Sequence, residues 1–348
     1  MLFQPDLFSA SLPEWIQLDS EGEHALDEVL THLPDPFKRL QCSPEQSGSM
    51  GINSTNFRLK TADGDFVLKR WSDYADYQDV RHALGIMNWL ASHQLPVPAP
   101  LKIQQDSFTL SIDSGTWSLF PFVEGAYFSG AGEELPAAAE ITGRLTEKLA
   151  LLPAYCTPNI GPTHLALADG EIFRRIKEMS SRWDTLFGSE NAALLDLSLP
   201  LLMVEWERLN STKLMGGRIQ AIHLDMHPHN LIVEADQVVG VLDFESCKKM
   251  PFGFALGFAA LKQCRQTLAL GESSLDPGFV GSLYKKHLLQ ACPSANEIVA
   301  HIGDLAVAET LRRICIIFRY VLEKREENWS RVFGIQIGHL SEARILFG

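Results

Sequence analysis

The spacing of apolar residues changes character twice along the chain. Residues 21–34 (EGEHALDEVLTHLP) place apolar side chains at helical intervals, and Pro34 with Pro36 stops that helix. Two alternating runs follow, Phe57-Arg58-Leu59 and Phe66-Val67-Leu68, on either side of the turn-forming Ala62-Asp63-Gly64-Asp65. This pattern predicts a β-hairpin. From Tyr77 to His93, Val80, Leu84, Met87 and Leu90 recur at spacings of three and four, the mark of an amphipathic helix. Leu95-Pro96-Val97-Pro98-Ala99-Pro100 is stiff and extended, because each proline keeps its predecessor out of the α region. Runs at 101–103, 109–112 and 117–122 complete an antiparallel set of strands.

Past Gly125 the pattern is mainly helical, over residues 134–152, 170–186, 198–209, 276–290, 295–322 and 335–346. One short β island, residues 231–243, interrupts it. Strands first and helices afterwards predict an α+β protein with a small, antiparallel, β-rich lobe and a larger, mainly helical one. The boundary falls at Phe122 to Gly125, giving a lobe of residues 1–122 with its N-terminal helix and a lobe of residues 123–348. The cleft between two such lobes is the default ligand site.

Composition narrows the function. With 46% hydrophobic and 21% charged residues in 348, the chain is an ordinary globular sequence with room for a large core. A formal net charge of −13 argues against sequence-independent nucleic-acid binding, which needs a basic face to displace counterions, and leaves room for a cationic substrate. Six cysteines without CxxC spacing fit reduced thiols in a cytoplasmic protein. The N-terminal stretch lacks a basic start and carries Pro5, Asp6 and Pro13, so it makes a poor signal peptide. The longest clean apolar run, Pro251 to Leu261, is too short to cross a bilayer, so no membrane partner is expected.

The chemistry concentrates in Ala221 to Glu245, AIHLDMHPHNLIVEADQVVGVLDFE. Its skeleton is His223-x-Asp225-x4-Asn230, followed by Asp243-Phe244-Glu245. Leu231-Ile232-Val233 and Val238-Val239-Gly240-Val241-Leu242 are two β-prone runs, and a two-residue loop at Asp236-Gln237 would set Asn230 opposite Asp243. A carboxylate and an amide oxygen side by side suit Mg²⁺, a hard ion that completes its octahedron with water and phosphate. Asp225 would then sit in the preceding loop, within reach of the same phosphate.

This skeleton resembles the catalytic and metal-binding loops of the protein-kinase-like superfamily. The form Asp225-Met226-His227-Pro228-His229-Asn230 is most similar to the aminoglycoside phosphotransferase and choline kinase-like family. The resemblance implies a two-lobed kinase fold that transfers phosphate from ATP, with Mg²⁺, to the hydroxyl of a small-molecule substrate. It implies Asp225 as catalytic base, Asn230 and Asp243 as metal ligands, and His223 as a brace for the loop. In the first half, Gly48-Ser49-Met50-Gly51-Ile52-Asn53 lies where a loop would cover nucleotide phosphates with backbone N–H groups, so Gly48, Ser49, Gly51 and Asn53 are candidate nucleotide contacts. Phe66-Val67-Leu68-Lys69 resembles the strand that carries a phosphate-binding lysine. Leu119-Phe120-Pro121-Phe122-Val123 resembles the hinge, where the Pro121 carbonyl and Val123 N–H would meet adenine. Gly51-Ile52-Asn53-Ser54-Thr55-Asn56-Phe57 with Leu95-Pro96-Val97-Pro98 is particularly like the homoserine kinase branch. The helix after the lysine strand offers no glutamate, which leaves Asp79 or no acid at all to orient Lys69.

Several positions carry rival readings. His223, Asp225, His227 and His229 also fit a zinc-type cluster, but Pro228 forces a loop there and Asn230 with Asp243 has no role in that reading. Glu245 is either an additional ligand or substrate contact, or a charged residue at the rim of the cleft. Phe318, Tyr320 and Trp329 could cage a quaternary ammonium group, although aromatics at helical spacing usually build core. Arg312, Arg313 and Arg319 are expected to pair with acids of the large lobe. The favoured acceptor is a hydroxylated amino compound (an amino alcohol, a homoserine-like amino acid or an aminoglycoside), the runner-up a sugar or nucleoside. The rival from another class is a kinase-like scaffold without catalysis.

Overall fold

Ala25, Leu26, Val29 and Leu33 repeat at helical spacing and are buried along one face of α1 (Ser20–His32) and just past its end. They pack with Phe57, Leu59, Leu68, Leu110, Trp117 and Leu119 of a sheet, forming a core separate from the larger one that follows. The structure, a computed structural model, describes residues 3, 15–16, 18, 20–33, 43–47, 54–71, 77–159, 170–211, 217–270, 275–323 and 333–348. The sheet contains six strands among these residues: β1 (Trp15–Ile16), β2 (Ser43–Ser47), β3 (Ser54–Thr61), β4 (Gly64–Trp71), β5 (Leu110–Ile112) and β6 (Gly115–Pro121). Their order is β1-β2-β3-β4-β6-β5, antiparallel throughout. The β3–β4 hairpin forms where the alternation places it, with Phe57 opposite Leu68 and Leu59 opposite Phe66. The run at 101–103 is not a strand; Leu101 makes only an isolated bridge to Leu119.

Helix α2 (Tyr77–Ser92) does not join the sheet's core. Its buried stripe of Val80, Ala83, Leu84, Ile86, Met87 and Leu90 belongs to the larger core built with the second half of the chain. In its first turn Asp79 pairs with Lys248 at 2.7 Å and accepts from the Asn159 amide at 3.0 Å. The proline-rich stretch that follows is tied down as well, since Val241 N–H donates to the Pro96 carbonyl at 2.7 Å.

The remaining helices are α3 (Glu134–Leu149), α4 (Glu171–Glu178), α5 (Trp183–Phe187), α6 (Ser189–Ser211), α7 (Gly253–Leu270), α8 (Pro277–Ala291), α9 (Ile302–Glu323) and α10 (Phe333–Phe347). The expected helix at 170–186 is broken by a 3₁₀ turn, and the one at 198–209 is the second half of α6. Helix α7 runs through the middle of this layer. Every residue from Gly253 to Thr267 is buried, so it shows no polar face and no helical period. At Gly257 a Cβ would come within 2.5 Å of the Ala306 backbone nitrogen on α9, so only glycine admits this helix crossing. Among the described residues no helix is long and apolar enough to cross a membrane.

Two small sheets frame the loops between α6 and α7. One is β10-β9-β7, from β7 (Ala126–Tyr127), β9 (Leu231–Glu234) and β10 (Gln237–Val241); the other pairs β8 (Ile219–His223) with β11 (Cys247–Pro251). The second pair has no counterpart in the sequence pattern. Lys248 and Lys249 break the apolar alternation of β11, and its Cys247 sits opposite His223.

Candidate active site

The hairpin of β9 and β10 differs in register from the expected one, and the difference sets the site. The turn is Ala235-Asp236, both in the left-handed region at φ 47° and 60°, with Glu234 opposite Gln237. A bulge between Val238 and Gly240 then shifts the pairing by one residue. Asn230 therefore lies opposite Leu242, whose N–H donates to the Asn230 carbonyl at 2.9 Å, and Asp243 is one residue further on. Asp243 itself is left-handed, at φ 67° and ψ 51°, where the chain leaves the strand for a short 3₁₀ turn at Phe244–Ser246. A non-glycine residue in that conformation is uncommon and is held there by its surroundings.

His223 ties the two loops together. Burial lowers its pKa and keeps the imidazole neutral. Its Nδ1 accepts from the Asp225 N–H at 3.2 Å, so Nε2 carries the proton and donates to the Leu242 carbonyl at 2.8 Å. Phe244 packs edge-on against the ring at 4.9 Å between centroids. His223 is therefore bonded both to the Asp225 loop and to the end of β10.

Asp225 sits among donors. Its Oδ1 accepts from Arg313 Nη2 at 3.0 Å, and its Oδ2 lies 3.1 Å from His227 Nε2 and 3.4 Å from Asn230 Nδ2. Burial by itself would raise the pKa of this carboxyl, but the His227 ring and the Arg313 guanidinium outweigh it and hold the group well below the usual carboxylate range. The loop's carbonyls are also pinned. Leu224 O takes Arg313 Nη2 at 2.8 Å, Asp225 O takes Asn230 Nδ2 at 2.7 Å, and Met226 O takes Gln263 Nε2 of α7 at 3.1 Å.

Lys69 projects from β4 to this loop pair. Its Nζ is 2.9 Å from Glu245 Oε2 and 3.5 Å from Asp243 Oδ1, and it lies 4.3 Å from the Trp71 ring. Burial alone would lower its pKa, but the charges of Glu245 and Asp243 carry it above its ordinary value. The acid that orients Lys69 is thus Glu245. Asp79 is engaged with Lys248 instead.

The hinge residues lie close by. Pro121 is opposite Phe66 at the end of β6, and Phe122 N–H donates to the Asp65 carbonyl at 2.9 Å. Val123 lies against the hairpin: a Cβ on Gly240 would be 2.9 Å from the Val123 Cγ1. Gly48, Ser49, Gly51 and Asn53 lie outside the described residues, as does Trp329. Phe318 is core, packed on Phe173, Phe187 and Phe333. No group of three or more His, Cys, Asp or Glu with metal-holding geometry occurs among the described residues, so the zinc-type reading has no support.

Arg313 is the functional neighbour that the sequence pattern did not single out. It reaches Asp225 from 88 residues away, on an α9 face whose other side is core, and no local spacing signals that contact. Gln263 is concealed in the same way within the unpatterned α7.

The sequence profile of the phosphotransferase enzyme family matches residues 47–275, more than half of the chain. A homoserine kinase of Bradyrhizobium sp. (strain ORS 278) is 26% identical over 204 residues, covering 56% of this chain and 56% of the relative. The chain thus spans little more than half the length of the curated relatives it matches. Among solved structures, an amicoumacin kinase in complex with AMP-PNP, Ca²⁺ and Ami superposes with a TM-score of 0.63 at 12% identity, covering 95% of each chain. A spectinomycin phosphotransferase in complex with ADP and spectinomycin gives 0.60 at 12% identity, covering 93% of this chain and 97% of that one. These likenesses show the two-lobed, protein-kinase-like α+β fold.

Proposed function

The chain belongs to the phosphotransferase enzyme family, and from that premise we propose that it is a Mg²⁺-dependent kinase transferring the γ-phosphoryl group of ATP to a hydroxyl of a small molecule. The observation that carries this reading is the meeting, at one place, of Asp225, Asn230, Asp243 and the strand lysine Lys69, with Lys69 3.5 Å from Asp243 and Asn230 bonded to Asp225. A scaffold without catalysis has no use for this whole set.

The donor set fits Mg²⁺. Asn230 spends its amide N–H on the Asp225 loop, which leaves its oxygen for a hard cation, and Asp243, about a third exposed and one residue past the position opposite Asn230, offers a carboxylate. Bound there, Mg²⁺ would neutralise charge on the transferring phosphates. Lys69, anchored by Glu245, places a fixed positive charge next to the same carboxylate. Asp225 stays ionised over the working pH range, so it orients the acceptor hydroxyl as a hydrogen-bond acceptor and takes its proton late, as the new P–O bond forms. Pro121 and Val123 are the adenine contacts of this reading, and Gly48, Ser49, Gly51 and Asn53 its phosphate-covering loop. The acceptor is a hydroxylated amino compound in the first instance; the homoserine kinase named among the relatives favours that class over sugars and nucleosides.

The test is Mg²⁺-ATP-dependent ADP release against pools of amino alcohols, hydroxy amino acids, aminoglycosides, sugars and nucleosides. One pool should stimulate the wild type but not Asp225→Ala, while Asp225→Ala still binds ATP. Asp243→Ala should lose metal-dependent nucleotide binding. Full kinase activity in Asp243→Ala would reject the assignment, and silence with every pool together with no ATP-induced thermal stabilisation would move the protein to the scaffold class.

A further inference from the structure

A guanidinium carries five N–H donors in one plane, and their use at Arg313 can be followed bond by bond. Nε donates to Glu309 Oε1 at 3.1 Å, and Nη2 donates to the Leu224 carbonyl at 2.8 Å and to Asp225 Oδ1 at 3.0 Å. Nη1 has no partner among the described residues, although the side chain is 24% accessible and stands beside the catalytic carboxylate. The plane is fixed by two further contacts. The Phe258 ring of α7 lies 3.7 Å from the guanidinium carbon, and Glu309, fully buried, also holds Arg312 through both of its oxygens. A rigid guanidinium with one nitrogen unspent is a preorganised receptor for an oxygen anion.

The same surroundings are poorly suited to a cationic group. Both Glu309 oxygens are engaged with arginines, and Glu245 and Asp243 face Lys69. The Phe258 ring is already covered by Arg313, and Phe318 is buried in core. Neither of these two rings is therefore left to build an ammonium cage.

We propose that Arg313 is the acceptor-binding residue of this site, its Nη2 holding Asp225 while its Nη1 takes a carboxylate oxygen of the acceptor. Because both nitrogens belong to one guanidinium, that oxygen lies within about 8 Å of the Asp225 carboxylate. The acceptor is then a hydroxy acid, amino acids with a hydroxyl side chain included, with its carboxylate only a few bonds from the reacting hydroxyl. A simple amino alcohol lacks this handle. The inference rests on the kinase reading above and narrows its substrate class.

The experiment compares each acceptor found to support ADP release with its methyl ester, which removes the charge and keeps the hydroxyl. Serine with ethanolamine, and homoserine with 3-aminopropan-1-ol, serve as pairs differing only in the carboxylate. The acid should exceed its uncharged partner in kcat/KM by roughly 10- to 100-fold, the worth of one charge-assisted hydrogen bond, mainly through KM. Arg313→Met should bring that ratio close to one, and Arg313→Lys should restore part of it, which a purely structural role would not produce. Equal use of acid and ester by the wild type, or an unchanged ratio in Arg313→Met, overturns the proposal. If no acceptor is phosphorylated, the kinase reading fails by that result alone. The proposal is then decided by calorimetric titration with 4-hydroxybutyrate: binding by the wild type and not by Arg313→Met upholds it, and equal or absent binding overturns it.

Discussion

Lys69 Nζ lies 2.9 Å from the Oε2 of Glu245, 176 residues later in the chain, joining the interior strand β4 of the first sheet to the loop that carries Asp243. Helix α2 supplies no acid to this lysine, because its Asp79 is turned away to Lys248. The orienting carboxylate therefore comes from the Asp243 loop itself, two residues past Asp243.

This arrangement has a consequence for metal dependence. In Glu245→Gln, Asp243, now 3.5 Å from Lys69, becomes the remaining acid partner of the lysine and is drawn into competition between Lys69 and Mg²⁺. The Mg²⁺ concentration giving half-maximal ADP release should rise by about an order of magnitude, with a smaller change in the ATP requirement at saturating metal. An unaltered metal requirement would remove Glu245 from this role.

His223 is predicted to couple stability to turnover. Replacing it by Leu leaves the Leu242 carbonyl and the Asp225 N–H without their partners in a buried setting. The cost should be about 2 kcal/mol or more in urea denaturation, and turnover should drop even at temperatures where the variant is folded. A variant as active and as stable as the wild type would contradict the bracing role.

How far these features could be read beforehand depends on where their partners lie. The β3–β4 hairpin and α2 are local patterns, and each formed where alternation or period placed it. The register of β9 and β10 was misplaced because the left-handed turn took Ala235 as well as Asp236, and because a bulge leaves no mark in a run of valines. Helix α7 escaped because full burial erases the amphipathic period from which helices are recognised. Arg313 on Asp225 and Glu245 on Lys69 are contacts across 88 and 176 residues, set by tertiary packing alone.

Gly257 tests the packing that brings α7 and α9 together behind the Asp225 loop. In Gly257→Ala the added Cβ meets the backbone nitrogen of Ala306 at 2.5 Å and the carbonyl carbon of Leu305 at 2.7 Å, which cannot yield as a flexible side chain would. The variant should lose about 3 kcal/mol in denaturant unfolding. Because α9 also carries Arg313, its kcat should fall with its stability. Gly338→Ala on α10, where nothing lies within 4 Å, should be nearly neutral and serves as the control.

Part of the pH dependence of folding should trace to a second cluster, away from the chemistry. Glu205 of α6 and Asp304 of α9 bind Arg344 of α10 and Arg208 of α6, with Arg344 Nη2 2.7 Å from Glu205 Oε2 and Arg208 Nη2 2.7 Å from Asp304 Oδ1. Partial burial would raise the pKa of either carboxyl, but hydrogen bonds from Arg344 and Arg208 lower both below their ordinary values. A carboxyl with a depressed folded-state pKa contributes stability that is complete above its unfolded pKa, about 4, and disappears as pH falls through the folded one. Thermal unfolding should accordingly be insensitive to these groups at neutral pH and lose their contribution below about pH 4. Arg344→Met should flatten that acid limb while leaving the Mg²⁺ and ATP requirements of ADP release unchanged. An acid limb identical in variant and wild type would place the pH sensitivity of folding elsewhere.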